Sequence, residues 1–392
     1  MKNVFRRNTS RQEVTTRKAD LLMSLLFALF AFLYLYFMQG DYLAVILTTI
    51  TDGVLGYAPF SCALIITLLL VLVCTVTARL LRPLPDGASA LVVFPSALLL
   101  ILLTAVPYRT STWVGIGAAT LAWGICLAVA KHKVPRCTPP SWIQIYSKNL
   151  LGLCAICVCT GLIGNTNDAR HFELRVARLL VEEQTERALT IGEKSLATSP
   201  RLTALRALAL DREGKLADRL FRYPQVYGCR GLLLLPADAS ALGFPVHEFY
   251  RRLSAHDYLG GDAKKYFDGP VRQAALQGNL SARNYRLCAL LLEKDLDRFA
   301  HELRLYYPAT DSLSAALPTA YSEALTLYRQ TRTKPLYLYE DPVVTTNYKD
   351  FEALRQQAGT QTERRNLTYK DYGHTYWWYY FYGEITSPAD NE

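Results

Sequence analysis

Apolar residues fall along this chain in two regimes. Up to about Gly164 they form long, nearly unbroken runs, and beyond it they recur at three- and four-residue spacing among charged positions. A bilayer span needs about 20 mostly apolar residues, because the hydrocarbon core is about 30 Å thick and a helix rises about 1.5 Å per residue. Residues 21–38, 61–81, 88–106 and 113–130 meet that requirement. A fifth run, 143–164, is interrupted by Lys148 and Asn149, so Lys148 has to snorkel toward the headgroups. The segment 42–57 carries Asp52 and three threonines and reads as an interfacial or re-entrant helix. About five transmembrane helices are therefore expected over 21–164, after a basic N-terminus at 1–20. The first run lacks a small-residue cleavage site and reads as a retained anchor.

From Asp168 the pattern predicts amphipathic helices of about 10 to 15 residues, stopped by Gly and Pro. Leu174, Ala177, Leu180 and Val181 make one apolar face. Ala188, Ile191, Ser195 and Leu196 make a second, ending before Pro200. Leu205, Leu208 and Ala209 end at Gly214, and Leu216, Leu220 and Phe221 end before Pro224. Residues 320–328 and 348–357 read as further helices, with connecting loops at 228–245 and 331–344. Sheet signal is nearly absent, so the fold class is all-α: membrane helices, then a helical domain over 165–392.

Two fragments resemble tetratricopeptide packing, in which large and small residues interlock neighbouring helices. They are Tyr250, Leu253 and Ser254 with Ala263 and Phe267, and Tyr285, Cys288 and Ala289 with Phe299, Leu303 and Tyr306. The resemblance implies an α-solenoid closed by the aromatic run Thr375–Tyr382.

Charge then gives the membrane half a direction. The chain up to Gly164 holds 13 Lys and Arg against 5 Asp and Glu, whereas the remainder holds 30 against 29. The excess lies in short segments flanking apolar runs, which is an orientation signal rather than a nucleic-acid footprint. With five spans and a cytoplasmic N-terminus, Arg79, Arg82, Lys131, Lys133, Arg136 and Lys148 all fall inside, and the outer loops carry only Arg109. The helical domain is then extracytoplasmic. Seven of the nine cysteines lie in or beside the spans, where a thiol such as Cys154 or Cys157 is a small apolar side chain. Cys229 and Cys288 remain in the outer domain, where an oxidising compartment lets them pair.

No HExxH helix, phosphate-binding loop, nucleophile elbow or dinucleotide fingerprint is present, so the sequence names no catalytic residue, metal site or cofactor. His247-Glu248 and His256-Asp257 are scattered pairs. The candidate binding residues are Asp41 and Asp52, flanking the interfacial segment, and Trp377, Trp378 and Tyr380, which would form a stacking platform if they were not a structural cap.

The stretches YFMQGDYLAVIL from Tyr36, LALDREGKLADRLFRYPQ from Leu208, LPTAYSEALTLY from Leu317 and HTYWWYYFY from His374 resemble an uncharacterised family of multi-pass membrane proteins of Bacteroides- and Prevotella-like bacteria. The resemblance implies a bacterial inner-membrane protein with a tetratricopeptide-like domain and brings no site residues. The expected function is a membrane-anchored periplasmic scaffold for a protein or peptide partner. The alternative is an enzyme or assembly factor acting on lipid-linked glycans through Asp41 and Asp52.

Overall fold

A computed structural model of the chain describes residues 2–50, 58–81, 89–105, 110–131, 141–164, 167–307, 317–336 and 339–385. Every regular element among them is helical. The chain forms two compact units, Met1–Asn167 and Asp168–Glu392.

The first unit contains α1 (Lys2–Leu33), which continues as a π-helical turn (Tyr34–Met38), then α2 (Gly40–Ile50), α3 (Pro59–Leu80), α4 (Ser89–Ala105), α5 (Thr110–Lys131) and α6 (Trp142–Ile163). Three stretches are long and apolar enough to cross a membrane: Lys18–Met38, Pro59–Leu80 and Trp142–Ile163. The apolar stretches in α4 and α5 are shorter, Leu91–Thr104 and Gly117–Ala128. The interrupted run is thus one of the three long helices. A Ser141–Gln144 capping box starts α6 ahead of the apolar run, and its polar pair splits, with Lys148 exposed and Asn149 buried. The segment expected to lie at the interface is helical as far as Ile50, and Asp52 lies outside the described residues.

Met23, Phe27, Ala31 and Tyr34 form a buried stripe on α1 at helical spacing, packed with Ala63, Leu70 and Cys74 of α3 and Leu100 of α4. Leu21, Leu25 and Leu29 are exposed on the same helix. The C-terminal ends of α1, α4 and α6 converge on Tyr34. Its hydroxyl bonds Thr104, and a Cβ on Gly164 would lie 1.9 Å from it. At the same end Phe60, near the start of α3, meets Phe32 edge-on at 5.5 Å. So α1, α4 and α6 run one way and α3 the other.

One contact between α4 and α5 follows directly from the sequence. Pro95 inside α4 has no N–H, which strips the Leu91 carbonyl of its helical donor, and Trp123 Nε1 supplies one at 3.0 Å. A carbonyl left without a donor in apolar surroundings is costly, so this bond ties α5 to α4. Trp123→Phe is expected to destabilise the unit by about 1–2 kcal/mol. Pro95→Ala, by restoring the helical donor, should make that loss smaller. A double-mutant cycle on thermal unfolding in detergent checks this, and additive effects would refute the coupling.

The second unit comprises α7 (Asp168–Val181), α8 (Thr185–Thr190), α9 (Pro200–Arg212), α10 (Leu216–Arg219) with a 3-10 turn to Arg222, and α11 (Pro236–Ser240). Next come α12 (Val246–Leu253), α13 (Ala263–Tyr266), α14 (Arg272–Leu276), α15 (Leu280–Leu292) and α16 (Leu296–Tyr306). The last four are α17 (Thr319–Thr331), α18 (Pro342–Arg355), α19 (Gln361–Tyr372) and α20 (Tyr376–Tyr382). Six helix ends share one geometry, the ends at Gly243 and Ser254 among them, and in the other four the next helix starts within three residues. The N–H groups of Gln184, Lys215, Asn279 and Asp295 each bond the carbonyl five residues back, at 2.7 to 3.1 Å. The residue before each donor, Glu183, Gly214, Gly278 or Lys294, takes a positive φ. This helix-ending motif turns the chain back within three residues and makes hairpins of α7–α8, α9–α10, α14–α15 and α15–α16.

The second expected helix is shorter than its apolar spacing implies. It stops at Thr190, and Ser195 and Leu196 lie outside it. Gly192 follows at φ +61, and any Cβ there would strike the Phe172 ring at 2.8 Å. Buried Arg206 takes over the freed carbonyls, donating to Ile191 O and Gly192 O at 3.0 Å each while lying 4.7 Å over the Tyr223 ring. Burial pushes this guanidinium down to about 10. The expected loop at 228–245 holds a 3-10 turn and α11. Ser254 is the left-handed end of α12 rather than a packing residue, whereas Tyr285, Cys288 and Ala289 on α15 and Phe299 and Leu303 on α16 are all buried.

Candidate functional site

Helix α17 sits at the centre of the C-terminal part of this unit, with every residue from Ala320 to Tyr328 buried. A helix enclosed on all sides normally carries apolar residues only. This one carries Glu323. Its Oε2 accepts the Tyr376 N–H at 2.7 Å, and its backbone carbonyl accepts Trp377 Nε1 at 2.7 Å. Glu323 therefore holds the first turn of α20, alongside Thr375, whose hydroxyl accepts Trp378 N–H at 3.3 Å. One backbone donor does not offset the loss of water, and burial raises the carboxyl to about 8. At neutral pH Glu323 is protonated.

Two cavities meet at this residue. One, of about 320 Å³, is lined by Lys215, Asp218, Arg219 and Arg222 together with Glu323 and His374. The other, of about 360 Å³, shares Thr319, Glu323 and His374 and continues past Asn347, Asp371 and Trp377. Asp218 is committed to the start of α17, accepting from Thr319 N at 2.8 Å and Thr319 Oγ1 at 3.0 Å. Arg219 and Arg222 form no ion pair among the described residues, and Lys215 reaches Glu213 only at 3.4 Å. His374 is held below its ordinary value by desolvation and by the Arg222 cation, so its imidazole is neutral at pH 7. The cleft thus presents three cations, the committed carboxylate of Asp218, a second carboxylate, Asp371, in the adjoining cavity, and two groups able to take up or release a proton.

A third cavity, of about 270 Å³, is lined by Asp268, Arg272, Arg286, Arg298, His301 and Glu302. Its charges satisfy one another: Arg286 donates twice to Glu302, at 2.7 and 2.9 Å, and pairs with Asp268 at 2.7 Å. Arg272 lies 3.3 Å from Glu302, and Arg298 pairs with Asp295 at 2.7 Å. That network joins helices and has no uncommitted cation to offer a ligand.

The residues singled out from the sequence are dispersed. Asp41 lies in the first turn of α2. Trp377 is buried against Tyr348 and Phe351 at 5.2 and 6.1 Å, so no sugar ring can reach its face. Trp378 is partly buried between Tyr369, at 4.9 Å, and Arg365, and Tyr380 packs on Phe381 and Tyr376. Cys229 and Cys288 are both free, buried thiols with separate surroundings. The Cys229 backbone bonds Glu293, and Cys288 faces the Tyr321 hydroxyl at 4.0 Å. Burial pushes both thiols up, Cys288 to about 12, which makes them unreactive. Glu248 pairs with Arg212 and the His256 ring lies edge-on to Tyr266, so the two His–acid pairs are separately engaged.

The cleft residues went unnoticed because no local motif joins them. One signal was available: Glu323 lies three residues after Ala320 and four before Leu327, on an otherwise apolar stripe.

Residues 273–383 match the model of a family of unknown function (DUF6057). That stretch supports the resemblance to an uncharacterised family, and it includes Glu323 and His374 but not the cations of α10. No curated protein and no solved structure matches the chain.

Proposed function

We propose that the protein is a membrane-anchored helical-repeat module that holds a segment of a protein or peptide partner in the cleft between α10, α17 and the start of α20. The observation that carries this reading is the cleft itself, where Arg219 and Arg222, with no ion pair among the described residues, line a cavity built on a buried helix. The four three-residue helix-ending turns support the repeat, since stacked hairpins of this kind build concave surfaces. The opposed directions of α1 and α3, and the common direction of α1, α4 and α6, support five spans. Under that reading the second unit lies across the membrane from the N-terminus, on the periplasmic side of a bacterial inner membrane.

A photocrosslinking residue placed at exposed Asn347, which lines the second cavity and leaves the three cations in place, should trap a discrete partner in cells, and the same residue at exposed Leu196 should not. The product at position 347 should vanish when Lys215 and Arg219 are both changed to Gln. Equal products at both positions, or none at Asn347, would remove this function.

A further inference from the structure

We propose that the cleft is an acidic-peptide site: one Asp or Glu side chain of the partner seats its carboxylate among Lys215, Arg219 and Arg222, and the Glu323 carboxyl hydrogen donates to it. This rests on reading the cleft as the partner-binding site and names the chemistry of its ligand.

The cations lining the cavity outnumber its available anions. Asp218 is turned to the α17 backbone, which leaves the charge of Arg219 and Arg222 facing the cavity without a protein counter-ion among the described residues. Guanidinium groups bind carboxylates through paired N–H donors. Glu323 completes the set because one of its oxygens is taken by Tyr376 N–H, so the other carries the proton on a residue that lines both cavities. A neutral acid beside an incoming carboxylate contributes an O–H donor where an ionised one would repel it. A monoanion also suits the site better than a dianion, since Asp218 stays in the same cavity. Cationic segments meet three like charges.

The proton links binding to pH. The groups facing Glu323 and His374 are Lys215, Asp218, Arg219 and Arg222 from α10 and its 3-10 extension, Asp371 from α19, and Tyr376 from α20. Glu323 loses its proton as pH rises through about 8, and affinity should then fall about tenfold for each further pH unit. His374, held below its ordinary value in the free protein, gains a proton more readily beside a bound carboxylate, so affinity should rise again toward acid pH.

The full chain in nanodiscs of zwitterionic lipid would be titrated with a C-terminally amidated fluorescent peptide, Gly-Ser-Glu-Gly-Glu-Ser-Gly, and with its amidated counterpart carrying Gln at both Glu positions. At pH 7 the Glu peptide should bind at least about tenfold more tightly than the Gln peptide, and Arg219→Gln or Arg222→Gln should each weaken it about tenfold. Glu323→Gln keeps an acceptor for Tyr376 N–H and should bind with no loss of affinity above pH 8. Equal binding of the two peptides, or arginine variants that bind as the parent does, would overturn the acidic ligand while the crosslink at Asn347 still stood. A Glu323→Gln protein that keeps the parent's loss above pH 8 would remove Glu323 from the site. Failure of both the peptide and the crosslink would discard the partner-binding reading as well.

Discussion

Replacing Glu323 by Gln is expected to stabilise the C-terminal unit by about 5 kcal/mol at pH 9 and to change nothing at pH 4, a difference that follows from proton linkage. The carboxyl titrates near its ordinary value of 4.5 when the chain is unfolded and near 8 when folded. Below about pH 4.5 it is protonated in both states, and its full contribution to stability is present. Between 4.5 and 8 the unfolded chain gives up the proton first, so unfolding becomes easier by about 1.4 kcal/mol per pH unit. Above 8 the folded chain carries a buried charge that only one backbone N–H offsets. The amide introduced by Glu323→Gln would keep that acceptor and never ionise. Thermal unfolding of the full chain in detergent, followed by near-UV circular dichroism, should show the parent's midpoint falling by about 10 °C between pH 5 and pH 9 relative to the variant. Parallel pH profiles would mean that Glu323 reaches water through the cavities and is already ionised at neutral pH.

The division into apolar runs and amphipathic helices was legible because burial in lipid and burial in a core leave different periodicities. Helix ends were less so. Run length alone ranked 143–164 last, yet the Ser141 box extends that helix, and its polar pair points to two different faces. The reverse holds at α8, where apolar spacing runs on to Leu196 but Gly192 and Arg206 end the helix six residues earlier. The cleft was not legible at all as a site. Its cations lie at 215–222, its acid at 323 and its imidazole at 374, so only the packing of α10 and α20 on α17 brings them together. What the sequence did carry was a charge in the wrong place, Glu323 on an apolar stripe, and Gly214 and Gly278, which close two of the four hairpins.

The aromatic run 375–382 offers the second large effect, because it separates a stacking platform from a structural cap. Trp377 is 2% exposed, packs against Tyr348, Phe351 and Tyr372, and donates its indole N–H to the Glu323 carbonyl. Removing a side chain of this size from a close-packed site leaves a cavity that neighbouring rings cannot fill, at a cost of about 3–5 kcal/mol. Trp377→Ala should therefore lower the unfolding midpoint of this unit by about 10 °C. Trp377→Phe keeps much of the volume and loses one buried hydrogen bond, so its loss should be nearer 1–2 kcal/mol. Trp378→Ala, at a partly buried position held by a 3.3 Å bond to Arg365 O, should fall below both. That order, Ala at 377 worst and Ala at 378 mildest, follows from burial alone. A ligand platform would give the opposite pattern, with the more accessible Trp378 mattering most for binding and neither tryptophan for stability. A Trp377→Ala midpoint within about 2 °C of the parent would overturn the cap, and with it the claim that Glu323 is held rigidly enough by α20 to keep its proton at neutral pH.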